Sequence, residues 1–139
     1  MITNKSFIDG LNKALEWEFA AAVQYVQHAA VITGPEYGSI AKELIVHANE
    51  EMAHAVVVST IISDLGGTPS IDIEKRDTSK EGMKMLEQDL AGEELAITIY
   101  KGLIKQAEKL GEYGYRRQLE QILIEEEEHR RDLLSSLGR

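Results

Sequence analysis

Apolar residues recur at three- and four-residue intervals along most of this 139-residue chain. That is the period of helices with one buried face. Leu11, Leu15, Ala22, Tyr25 and Ala29 mark the first such face. They predict a helix from about Ser6 to Ile32, stopped by Thr33-Gly34-Pro35. Ile40, Leu44, Ala48, Val58 and Ile62 predict a second helix from about Tyr37 to Leu65, closed by Gly66-Gly67 with Pro69 beyond. The period is lost over residues 66–77 (GGTPSIDIEKRD), which read as a connection. Thr78-x-x-Glu81 then predicts a capping box. It opens a third helix that carries Leu86, Leu90, Ile97, Tyr100 and Ile104 inward and ends near Leu110, before Gly111. A fourth helix runs from about Glu112 to Leu137, with Leu119, Leu123, Ile124, Leu133 and Leu134 inside.

The connections imply a topology. The first turn is short, so the first two helices are antiparallel neighbours. The 12-residue link between the second and third helices can stretch to roughly 40 Å. A helix of about 27 residues has that length. The link can therefore run along the bundle and start the third helix at the far end. The expectation is an all-α four-helix bundle, one domain over residues 1–139, with one long crossover.

A repeat lies on top of this pattern. Glu18, Glu51 and His54 recur 75 positions later as Glu93, Glu126 and His129. In each half a lone Glu precedes a Glu-x-x-His by 33 residues. Leu11 pairs with Leu86, Leu15 with Leu90, Tyr25 with Tyr100, Leu44 with Leu119 and Ile62 with Leu137 in the same register. Two helical hairpins related by a pseudo-twofold axis would produce such a repeat.

Composition narrows the chemistry. A net charge of −9 argues against nucleic acid, which needs clustered Lys and Arg. The same charge suits a protein that attracts cations. There is no cysteine, which excludes disulfides, thiolate zinc sites and iron–sulfur clusters. The opening residues lack a signal-peptide core, and no uncharged apolar run is long enough to span a membrane. A cytoplasmic location is expected.

The repeat then becomes a metal-site expectation. Residues three apart share a helix face, so Glu51 and His54 reach one point, and Glu126 and His129 another. Equal spacing sets Glu18 and Glu93 at the same height in the neighbouring helices. Four buried carboxylates alone would be costly, and two divalent ions would neutralise them. Carboxylate with imidazole suits Fe(II), Mn(II) or Zn(II). Glu18 and Glu93 are expected as terminal ligands and Glu51 and Glu126 as bridges, with one metal on His54 and one on His129. A Glu run from Glu125 to Glu128 could place one Glu-x-x-His by chance; two with matched partners are harder to obtain so.

These segments resemble the bacterioferritins of the ferritin-like superfamily. LNKALEWEFAAAVQY at 11–25, EEMAHA at 50–55, DLAGE at 89–93 and EEEEH at 125–129 match the family's ligand segments, and the likeness covers about residues 6–137. The resemblance implies a ferroxidase with two iron ions per subunit. It would oxidise Fe(II) with O2 or H2O2, within a homo-oligomeric iron-storing shell. The family's ligands carry over to Glu18, Glu51, His54, Glu93, Glu126 and His129. The family's short fifth helix has no counterpart before Arg139, so a twelve-subunit shell or a smaller oligomer is expected in place of twenty-four subunits. In the family a Met of the second-helix motif binds haem between two subunits. Met52 holds that place, which makes haem b a second implied cofactor, although Ala22 and Asn49 alter the surroundings. The plainer role of Met52 is a flexible apolar contact between subunits.

Tyr25 and Tyr100 are expected to face inward, either as core residues or as partners of the carboxylates. His47 could assist iron movement with Glu50, but is expected mainly as a solvated or interface residue. His28 is expected at the surface or an interface, and Trp17 at a subunit contact. Two other functions compete. A rubrerythrin-like peroxide reductase would carry an extra Glu three residues after the third-helix ligand, where this chain has Ala96. A non-enzymatic metal-binding bundle, loaded with zinc, would use the same ligands.

Overall fold

A computed structural model describes residues 3–139. Four helices make up the fold: α1 (Asn4–Val31), α2 (Gly38–Asp64), α3 (Gly82–Lys109) and α4 (Tyr113–Ser136). A single 3-10 turn, Pro35–Tyr37, joins α1 to α2. The structure thus has the expected all-α ferritin-like bundle.

Local sequence explains most boundaries. Thr3 and Ser6 form a reciprocal capping box at the start of α1. The Ser6 N–H donates to Thr3 Oγ1 at 3.1 Å and the Thr3 N–H to Ser6 Oγ at 2.9 Å. The helix therefore starts at Asn4, ahead of the expected Ser6. Thr3→Ala should lower stability by about 1 kcal/mol, measured by denaturant unfolding. At the other ends, Gly66 and Gly111 adopt φ of 85° and 73°. That left-handed conformation closes α2 and α3 and favours glycine.

The capping box expected at Thr78 does not form. The link continues to Glu81, which caps α3 without a side-chain hydrogen bond. The Thr78 carbonyl instead accepts from the Gln88 side chain, and the Ser79 hydroxyl accepts from the Glu81 N–H. Gly82 then lets α3 begin directly against the Tyr37 ring, where a Cβ would collide.

The link lies along α1 and is fastened to it. Asn12 donates to the Thr68 carbonyl and accepts from the Ser70 N–H. Ser70 donates to Glu16, Lys13 pairs with Glu74, and Gln24 donates to the Asp77 carbonyl. From Asn12 at Thr68 to Gln24 at Asp77 the anchors move along α1, so the link returns to the far end of the bundle. Its Arg76 lies over Trp17, 4.8 Å from the ring centre, and presses on Gly92 of α3. Trp17 thus packs under the crossover.

The interior holds two apolar clusters. Phe7, Leu11, Leu15, Val58, Ile62, Tyr100, Leu103, Leu119 and Ile122 belong to one. Tyr25, Leu44, Ala48, Leu86, Leu90, Leu133 and Leu137 belong to the other. Two expected core residues fall outside the core: Ile124 is 48% exposed, while Ile122 is buried, and Ile97 is half-buried and belongs to neither cluster. The buried face of α4 follows Leu119, Ile122, Glu126, His129 and Leu133. Ile124 lies two residues from Ile122, about 200° around the helix.

Candidate metal centre

Six polar side chains fill the layer between the two apolar clusters. Glu18 comes from α1, Glu51 and His54 from α2, Glu93 from α3, and Glu126 and His129 from α4. None is more than 3% exposed. They form two groups of potential ligand atoms, each within 4.8 Å: Glu18, Glu51, His54 and Glu126, and Glu51, Glu93, Glu126 and His129. Glu51 and Glu126 belong to both. The geometry brings together all six residues singled out in the sequence, with the two expected bridges in the shared positions.

Both imidazoles turn the same nitrogen inward. His54 Nδ1 lies 2.7 Å from Glu126, 3.1 Å from Glu18 and 3.3 Å from Glu51. His129 Nδ1 lies 3.3 Å from Glu51 and 3.5 Å from Glu93. Their outer Nε2 atoms meet carboxylates in the matching pattern. His129 Nε2 is 2.8 Å from Glu50, and His54 Nε2 is 3.4 Å from Glu125. Glu50 and Glu125 are themselves related by the 75-residue offset. Such outer carboxylates fix a ring's tautomer and orientation and make the inward nitrogen a better ligand.

The buried carboxylates of the cluster crowd one another. Burial and the neighbouring Glu126 charge push Glu18 up to about 8. Burial likewise raises Glu51, Glu93 and Glu126, each against at least one further carboxylate. Burial alone would lower the two histidines. For His54 the carboxylates of Glu126, Glu18 and Glu51 overcome it and raise the ring. For His129 burial is overcome by Glu51 and Glu93, which push it up to about 12. The cluster thus favours added positive charge, which protons or divalent ions can supply. Glu51 Oε1, Glu93 Oε2, both Glu126 oxygens and His129 Nδ1 are buried with no well-directed hydrogen-bond partner. Lone pairs left unmet beside a neighbouring carboxylate suit a pair of divalent cations.

Tyrosines flank the centre. Tyr25 donates to Glu93 Oε1 at 2.7 Å. Tyr100 takes the matching place beside Glu18, but its buried hydroxyl completes no hydrogen bond. Tyr25→Phe should therefore weaken divalent binding at the Glu93–His129 end by about 10–100-fold. Tyr100→Phe should change it less. Calorimetric titration of the two variants checks the difference.

Two histidines depart from expectation. His28 is fully buried and its Nδ1 lies 2.7 Å from Asp89 Oδ1. Asp89 is pushed up by burial, against the pull of His28 and Arg76. His47 is 1% exposed, with its ring stacked on His129 at 4.2 Å between centres. Glu50 is expected only beside His47, as an aid to iron movement, and Glu125 and Asp89 are not recognised from sequence as parts of this network. The offset could have found the first two, since each immediately precedes a shared carboxylate.

The comparisons with known proteins bear on the family and the fold. The family model described as Ferritin-like domain matches residues 8–139. The chain belongs to the ferritin-like family. A bacterioferritin of Brucella melitensis is 30% identical over 138 residues, covering 94% of this ferritin-like chain and 86% of the relative. A nutrient stress-induced DNA-binding protein of Nostoc sp. is 32% identical over 130 residues, covering 86% and 71% respectively. A dodecameric thioferritin, a bacterioferritin-related protein from Bacteroides fragilis, superimposes with a TM-score of 0.92. It is 31% identical and covers 99% of this chain and 87% of its own.

The structure sets Met52 on the outer side of α2, apart from the centre and 47% exposed. It borders an open groove of about 380 Å³ with Ala22, Val23, Val26, Gln27, Ala48 and Asn49. The apolar lining fits the face of a haem ring. It carries no cationic side chain for the propionates. The residues of one subunit therefore fit haem only in part. Among the described residues no helix is long and apolar enough to cross a membrane.

Proposed function

We propose that this ferritin-like chain is a cytoplasmic ferroxidase that takes two Fe(II) ions as substrate and delivers Fe(III) for storage or detoxification. One observation supports it above the others: Glu51 and Glu126 belong to both groups of ligand atoms, each group being completed by one further Glu and one His. Two ions held by shared carboxylates are close enough to lose one electron each to the same oxidant. With O2, two Fe(II) and two protons give two Fe(III) and H2O2. With H2O2, two Fe(II) and two protons give two Fe(III) and two waters.

The chain's own residues bind, neutralise and orient. Four carboxylates balance the charge of two divalent ions, which offsets the cost of burying either set alone. Glu18 with His54, and Glu93 with His129, are the end ligands in this reading. Glu50 and Glu125 hold the rings from outside, and Tyr25 holds Glu93. Burial of Ala96 in the apolar cluster puts a methyl where a rubrerythrin-like reductase would carry an additional carboxylate. A homo-oligomer is part of the reading, because exposed Val23, Val26, Met52 and Val56 give α1 and α2 an apolar outer surface that a second copy can cover.

The test is Fe(II) oxidation after anaerobic loading, with O2 and with H2O2, followed by ferric absorbance. The expected result is oxidation well above the buffer rate, with two ions bound per chain. Two ions bound with oxidation no faster than buffer would end the ferroxidase reading and leave a non-enzymatic metal bundle. Light scattering tests storage: a closed shell supports it, and a free dimer removes it.

A further inference from the structure

The 75-residue repeat is obeyed by the six central residues, by Glu50 and Glu125, and by Tyr25 and Tyr100. It is broken just beyond His129. The position matching His47 is Ile122, that matching Glu43 is Gln118, and that matching Asp132 is Val57. One end of the centre therefore carries an imidazole and two carboxylates where the other carries an amide and two aliphatic side chains.

These three residues converge. His47 Nε2 lies 3.3 Å from Asp132 Oδ2 and 3.5 Å from Glu43 Oε1. Their candidate ligand atoms all lie within 4.8 Å of one another. The imidazole is 1% exposed, while the two carboxylates are about half exposed and open to solvent. Stacking on His129 and an edge contact with Tyr25 at 5.1 Å hold the ring in place. Its Nδ1 is buried without a partner, so Nε2 is the only nitrogen that meets polar atoms. Neither Glu43 nor Asp132 pairs with a Lys or Arg among the described residues.

The charge state agrees. Burial and the adjacent Asp132 raise Glu43, the mark of carboxylates that crowd each other. A buried imidazole aimed at two carboxylates that no Lys or Arg among the described residues neutralises is an arrangement a divalent cation can complete.

We propose that Glu43, His47 and Asp132 form a third divalent-cation site, on the rim of the bundle and separated from the di-metal centre by the His47–His129 stack. One nitrogen, two carboxylate oxygens and water complete an open coordination shell of the kind zinc and Fe(II) accept. Its place at one end gives the centre a single loading side. This loading role rests on the ferroxidase reading; the site itself does not.

The test counts ions on chelator-stripped protein, with zinc and with cobalt as probes. The double variant Glu43→Gln/Asp132→Asn alters only half-exposed side chains. It should bind one ion fewer per chain than the parent, and zinc crystals of the parent should show an anomalous peak at His47 Nε2. An unchanged count with no such peak overturns the site. Glu126→Ala, which disrupts the inner centre, should retain the ion at His47. Its retention supports the third site even if the parent proves unable to oxidise iron. For the loading role, the double variant should need a several-fold higher Fe(II) concentration for half-maximal oxidation, with the maximal rate kept. An unchanged concentration dependence overturns that role.

Discussion

Glu51→Leu should abolish accelerated Fe(II) oxidation and, in the same protein, raise the melting temperature of the metal-free form. The two effects have one cause. Glu51 contributes to both groups of ligand atoms, so its loss damages both ion positions together. Outer partners of metal ligands cost 10–100-fold when removed. A shared direct ligand should exceed that, with a fall of more than ~100-fold. Without metal, however, Glu51 is a buried carboxylate raised by burial and by the charges of Glu18 and Glu93. An aliphatic side chain of similar volume removes that repulsion. Exchanging buried ionic groups for apolar ones is often neutral or stabilising by about 1–4 kcal/mol when no charge is left without a partner, and here His54 keeps Glu18 and Glu126 while His129 keeps Glu93. Calorimetry in chelator and stopped-flow oxidation in Fe(II) read the two sides. A variant that loses stability without metal and keeps its rate would contradict the shared-ligand assignment. Opposite signs are what a site kept for function at a cost in stability should show.

The repeat explains what could be read from sequence and what could not. Most features present in both halves are legible, because each half confirms the other: the four helices, the six central residues and the paired tyrosines, with the ring partners Glu50 and Glu125 the exception. Features present in one half had no such check. His28 and Asp89 lie 61 residues apart and match Leu103 and Ala14, so no spacing rule joins them. His47 lies on the same side of α2 as Glu51, but its burial depends on stacking against a ring from α4. The link failed differently. Thr78 and Glu81 have the residue types of a capping box, yet the Thr78 carbonyl is held by Gln88 and the helix starts later. Apolarity alone points Ile124 inward, whereas the helical period favours Ile122. Local chemistry therefore misled only where a tertiary contact or the helical period opposed it.

The metal-free protein should lose stability as pH rises, and divalent ions should reverse the trend. Glu18 stands near 8 in the folded chain, against an ordinary value of 4.5. The folded state thus keeps a proton that the unfolded state has lost. The stability this contributes is full below about pH 4.5 and disappears as pH climbs through 8. One retained proton corresponds to a slope of ~1.4 kcal/mol per pH unit. His54 and His129 act in the same direction above their ordinary 6.5, since both are raised by their carboxylates. His47 opposes them. Held near 4, it contributes stability that is present above 6.5 and lost on acidification toward 4. The decline should therefore be clearest between pH 6.5 and 8, where His47 no longer changes. Divalent ions replace the retained protons and release them to solvent. A single site at a thousandfold excess over its dissociation constant adds about 4 kcal/mol, and two sites about twice that. For a domain of this size each kcal/mol moves the melting temperature by roughly 2–4 °C. The metal-loaded and stripped forms should then melt more than ~10 °C apart at pH 8, and closer together at pH 6.5. Scanning calorimetry across that window, with zinc or with chelator, measures the gap. A stripped protein whose melting temperature rises from pH 6.5 to 8 would mean that the central carboxylates are already ionised and balanced without metal, which would remove the electrostatic reason for two cations there.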